Sequence, residues 1–264
     1  MSSHFTKLCL AGVAMIVSSA VHAADMPVPV IEHVPQVPVV AGGWYLRGDI
    51  GYKVYQAPTV GYGALDFTNE KLNNTGMIGG GVGYKFSDFL RADLTVDYEF
   101  PAKFKGYAPC TACGAGGAAG FSTETADIDV LTFMLNGYVD IGTWSGFTPY
   151  VGAGIGAAYV NVDNIKFSNP NGASGTYPGD STWNFAWALM AGGSYAIDDN
   201  WSIDAGYRYL NIGNVYSRSF STGAPNPSRK IRYEDLQAHE FRVGARYTFN
   251  STPSYIPEPI ITKY

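Results

Sequence analysis

No stretch of this chain after residue 24 has the 18 or so consecutive apolar residues from which a membrane-crossing helix is built. The longest candidate, residues 150–160, is short and rich in glycine. What recurs instead is alternation. In residues 89–100, Leu90, Ala92, Leu94, Val96, Tyr98 and Phe100 occupy one parity, and Arg91, Asp93, Thr95, Asp97 and Glu99 the other. Successive side chains of an extended strand point to opposite faces, so this segment reads as a strand with one apolar and one charged face. The same split marks residues 43–54, 75–86, 131–141, 150–161, 184–197, 201–209 and 236–249, which makes eight strands. Each exceeds the five or six residues usual in a soluble sheet and reaches the roughly 9–11 needed to cross a bilayer at a tilt. An open sheet in lipid would leave its edge amides unsatisfied, and closure removes the edge. The expected fold is therefore all-β, an eight-stranded antiparallel up-and-down transmembrane β-barrel.

Connection lengths point the same way. Short links at residues 87–88, 142–148 and 198–200 alternate with long ones at about 56–74, 101–130, 162–183 and 210–235. Short turns at one rim and long loops at the other are expected of a bacterial outer-membrane barrel. Aromatics form two girdles, Trp44, Phe86, Trp144, Phe147, Trp201, Tyr247 and Phe249 toward the short turns, and Tyr52, Tyr98, Phe100, Trp183, Phe185, Tyr207 and Tyr209 toward the long loops. Only 15% of residues are charged, and the net charge of −5 gives nucleic-acid binding no electrostatic support.

The inward parity carries both signs in balance: Arg47, Asp49, Lys53, Arg91, Asp93, Asp97, Glu99, Asp204, Arg208, Glu240, Arg242 and Arg246, with Lys85 and Asp140 beside them. Eight strands leave a lumen that side chains fill, and buried ions need partners. A lumen plugged by arginine–carboxylate networks is expected, with glycines on strands 75–86 and 150–161 making room for long side chains. A narrow passive pore, from an oligomer for instance, is the alternative.

Residues 1–23 read as a secretory signal peptide, with Lys7, an apolar run at 8–17 and the small-residue site Val21-His22-Ala23. Residues 24–42 form a Pro-rich periplasmic extension, 43–249 the barrel, and 250–264 a periplasmic tail. A CxxC pair admits a redox, zinc or disulfide reading. No βαβ pattern or second ligand pair surrounds Cys110 and Cys113, and export favours a loop disulfide. His239 and Glu240 are neighbours on a strand and so face opposite ways, which leaves no base with its orienting partner. No catalytic residue, cofactor or metal is expected, and the histidine reads as a headgroup contact.

Several stretches resemble the alphaproteobacterial opacity-type surface antigens, small barrels grouped with the porin family: MPVPVIEHVPQVPVV, GGWYLRGDIGY, TPYVGAGIGAAY, WSIDAGYRYL and HEFRVGARYTF. The resemblance spans residues 43–249. It implies an eight-stranded barrel that supports envelope integrity, faces hosts and lies among outer-membrane lipid and lipopolysaccharide, in contact with host surfaces or other envelope proteins; some members are porins. The last strand also resembles the signal read by the barrel-assembly machinery, with Tyr247 and Phe249 on its lipid face. Here NSTPSYIPEPIITKY follows that strand, so the signal would be internal.

Overall fold

The computed structural model describes residues 42–62, 65–218 and 230–249. The signal peptide, most of the Pro-rich extension and the C-terminal tail lie outside the described residues. Among the described residues thirteen strands join one sheet: β1 (Gly43–Tyr55), β2 (Thr59–Tyr62), β3 (Leu65–Asp66), β4 (Thr68–Leu72), β5 (Thr75–Lys85), β6 (Leu90–Cys110), β7 (Gly120–Asp140), β8 (Phe147–Val162), β9 (Ile165–Ser168), β10 (Ser174–Tyr177), β11 (Asp180–Ala196), β12 (Trp201–Tyr216) and β13 (Ile231–Thr248).

Eight of these, β1, β5, β6, β7, β8, β11, β12 and β13, pair antiparallel in chain order. β1 closes on β13, from Tyr45 opposite Thr248 to Tyr55 opposite Ala238. The ring has no free edge, which is the condition for a sheet in hydrocarbon.

Its outer surface is apolar. Ile50 is 65% exposed, Leu94 59% and Ile155 57%, with Leu46, Ile78, Leu135, Val151, Leu189, Ile203, Phe241 and Val243 also exposed. Burying such a side chain is worth roughly 1.5–3 kcal/mol, so a belt of them facing water would be prohibitive. Trp44, Tyr84 and Phe86 make an edge-to-face chain at the short-turn rim, as do Trp201, Tyr247 and Phe249. Where the belt stops, outward residues turn polar: Lys103 and Lys105 follow Phe100 on β6, and on β7 Asp129, Asp127, Thr125 and Thr123 lie beyond Leu131 toward the loops. β6 and β7 thus continue past the belt.

That continuation departs from the expected loops. Residues 101–110 and 120–130 are not loop but paired strand, Ala102 opposite Ile128 through Cys110 opposite Gly120. Residues 210–216 and 231–235 likewise extend β12 and β13. On β7 the inward parity runs unbroken from Asp140 to Ser122 and only the apolar face changes side, whereas on β6, β12 and β13 bulges flip the parity and hide the alternation. One lies between Glu99 and Ala102. Others lie between Asn211 and Val215, where Gly213 has φ +75° and Asp235 on β13 has φ +56°. The remaining five strands pack within the long loops, β2 on β13, β3 on β2, β4 on β6, β9 on β7 and β10 on β9.

Along β7 the inward residues fall into three stretches. Asp140, Tyr138 and Asn136 are polar; past Met134 and Thr132, Val130, Ile128 and Ala126 are apolar; Glu124 and Ser122 are polar again. The apolar layer is a closed core with Val60, Phe104, Val160, Leu210, Ile212, Ile231 and Leu236, all buried. The barrel is therefore filled by ions toward the short turns and by hydrocarbon side chains toward the long loops.

Candidate functional site

The ion-filled half is built from inward positions of β1, β6, β7, β12 and β13. The structure joins most of the sequence-selected charges into one chain of alternating sign. Arg47 holds Asp49 at 2.6 Å and Asp93 at 3.1 Å. Asp49 accepts from Arg242 Nε at 3.1 Å, and Arg242 forks onto Asp97 at 2.7 and 3.2 Å. Arg208 reaches Asp97 at 2.7 Å and also pairs with Glu240. Lys53 lies 2.9 Å from Glu240 and pairs with Glu99. Two satellites sit nearer the short-turn rim, Arg91 with Asp140 at 3.1 Å and Arg246 with Asp204 at 3.5 Å. Lys85 instead pairs with Asp88 at an exposed turn. Removing one partner from such a buried network leaves an uncompensated charge, which costs about 3–5 kcal/mol.

Tyrosines complete the network, and most were not singled out by charge patterning. Tyr45 donates to Asp93 at 3.1 Å, Arg47 donates to the Tyr138 hydroxyl at 3.0 Å, and Tyr55 donates to Glu99. The Arg91 guanidinium lies over the rings of Tyr138 and Tyr150, 4.4 and 4.6 Å from their centroids. Asn136 donates to Asp93 at 2.8 Å. The inward parity of 131–141 carries Asn136 and Tyr138, so the signal was in the sequence; Tyr45 was hidden among the outward aromatics of its strand.

The inward glycines make this packing possible. A Cβ on Gly79 would strike the Asp97 carboxylate and come within 3.1 Å of Arg242; one on Gly83 would strike the Tyr45 ring; one on Gly154 would strike the Asn136 side chain. What space remains among Arg47, Asp49, Asn136, Tyr138, Asp204 and Arg242 is a cavity of about 20 Å³. That is close to the room a single water needs.

The other sequence-selected residues lie elsewhere. Tyr247 stands opposite Leu46 and Trp201, and the Phe249 amide donates to the Trp44 carbonyl at 2.8 Å, so both sit on the closing seam. Cys110 and Cys113 form a disulfide at the tip of the β6–β7 hairpin. His239 faces outward at the upper girdle, 2.6 Å from the Tyr207 hydroxyl and 2.8 Å from Gln56 Nε2, while Glu240 points inward.

Comparison with known proteins agrees with this architecture. The chain is 37% identical to an uncharacterized protein of Brucella abortus, the alignment covering 88% of this chain and 93% of the other. It is 33% identical to the outer membrane protein PagN of Salmonella typhimurium, covering 66% of this chain and 74% of that one. Among solved structures, the outer membrane protein OprG of Pseudomonas aeruginosa superposes with a TM-score of 0.54 at 16% identity, over 80% of this chain and 98% of OprG. The model of the outer membrane protein beta-barrel domain matches residues 11–249, and this chain, a barrel of the outer membrane, belongs to that family.

Proposed function

We propose that the protein is a structural and surface-presenting barrel: its lipid belt anchors it in the envelope, its short turns face the periplasm, and its long loops meet the outside. The lumen passes no solute. The observation that carries this reading is the double closure of the interior, an ion network below and an apolar core above. An ion crossing it would have to leave water for a hydrocarbon-lined layer, at a cost of several kcal/mol. The loop end is also ordered for contact. Strand extensions, short hairpins and the Cys110–Cys113 link hold exposed groups such as Phe121 and Asn171 on a paired framework. A surface fixed in advance loses less entropy when a partner docks. The same reading assigns Tyr247 and Phe249 to recognition by the assembly machinery, since they close the seam.

Conductance of the purified, refolded chain in a planar bilayer tests it. The reading expects no steady current steps. Reproducible single-channel steps, altered by Asp97→Ala, would replace it with a narrow pore.

A further inference from the structure

Above the apolar core, at the loop end, lies a second polar feature that the closure of the barrel does not require. Glu124 on β7 is 3% exposed and lies well beyond the lipid belt. Ser122 donates to its Oε1 at 2.9 Å, while its Oε2 carries no hydrogen-bond partner among the described residues. It lines a cavity of about 160 Å³ walled by Phe67, Ala108, Cys110, Tyr177 and Ile231. Among the described residues, Asn169 Oδ1, on the same wall, and the Tyr233 hydroxyl are buried without partners too. Every carboxylate of the ion network has an arginine or lysine cation beside it. Among the described residues Glu124 has none: Lys103 and Lys105 on β6 face outward, Arg232 on β13 pairs with Glu234, and Arg218 lies 3.7 Å from Asp180. Burial holds the Glu124 carboxyl up at about 7, and no cation among the described residues pulls it back.

A buried carboxylate needs a positive partner. We infer that this cavity binds a small organic ammonium ion, its charge on Glu124 and Asn169 and its apolar body against Phe67, Tyr177 and Ile231. The volume suits a body the size of one six-membered ring, since a cavity of about 150 Å³ takes up benzene. The inference goes beyond the structural role and uses that reading only to place the cavity on the outer side.

Isothermal titration of the full mature chain in lipid nanodiscs with benzylamine, benzyl alcohol and benzoate tests it. At about pH 8 the carboxylate and the ammonium are both charged. Saturable binding of benzylamine is expected, with the alcohol and benzoate each at least about tenfold weaker, in line with the loss of a charge-assisted hydrogen bond. Glu124→Gln, nearly isosteric, should weaken benzylamine binding by about tenfold or more while keeping the mobility of the folded barrel on a gel. Lowering the pH of the wild type to about 5.5 should weaken it at least about fivefold as the carboxyl takes up a proton. This pH comparison decides the matter even if the variant does not fold. Equal binding of amine and alcohol, retention in folded Glu124→Gln, or no saturable amine binding at about pH 8 would overturn the inference. None of these outcomes bears on conductance, so the proposed function stands or falls separately.

Discussion

At the scale of single residues, the two faces of the ring predict opposite responses to charge. Leu94 faces lipid, so Leu94→Arg should destabilise the barrel by about 2–4 kcal/mol in urea unfolding from vesicles, whereas Leu94→Ala should cost far less. Asp97 is fully buried between Arg208 and Arg242. Asp97→Ala strands both guanidinium groups and should cost about 3–5 kcal/mol by the same assay. Glu124 behaves differently. Its carboxyl rises from 4.5 to about 7 on folding, because burial favours the neutral form. The folded state therefore binds that proton more tightly, and its contribution to stability, present at low pH, is lost as pH rises through about 7. Glu124→Gln should match the wild type near pH 4 and exceed it by about 3 kcal/mol near pH 8, in unfolding curves taken across that range.

Elements show how far the sequence carries. Alternation identified all eight ring strands and placed Arg47, Asp97, Arg208 and Glu240 on one face, because period two survives wherever one face meets lipid. It did not carry past the bulges. At Phe100-Pro101 the outward parity changes, so Ala102 and Phe104 turn inward and residues 101–110 read as loop. Nor did it reveal the apolar core, since an inward Val130 or Leu210 beside outward polar groups carries the same pattern with its faces reversed. Pairing between such distant partners as Arg47 and Asp93 depends on closure and rotamers, which composition does not encode. The bulge at Gly213 offers a direct check. A Cβ there meets nothing within 4 Å, yet φ is +75°. Gly213→Ala should therefore cost about 1 kcal/mol through backbone strain alone, and Asp235→Gly on the facing strand should recover a few tenths to about 1 kcal/mol. Failure of either in equilibrium unfolding would mean that the bulge is not fixed in solution.

The whole molecule is a cylinder, greasy outside and solid within. Side-chain parity, the seam between β1 and β13, the girdles and the filled lumen all follow from placing this chain in a bilayer rather than in water. The most direct test needs no substitution: photochemical footprinting of the folded protein in vesicles, once with a lipid-partitioned carbene precursor and once with a water-soluble one, read residue by residue by mass spectrometry. Leu94, Ile155 and Val243 should be labelled from lipid, Lys105 and Asp127 from water, and Val130, Met134 and Leu210 from neither. Labelling of Val130, Met134 and Leu210 by the water-soluble reagent would show a hydrated passage through the barrel and contradict the account.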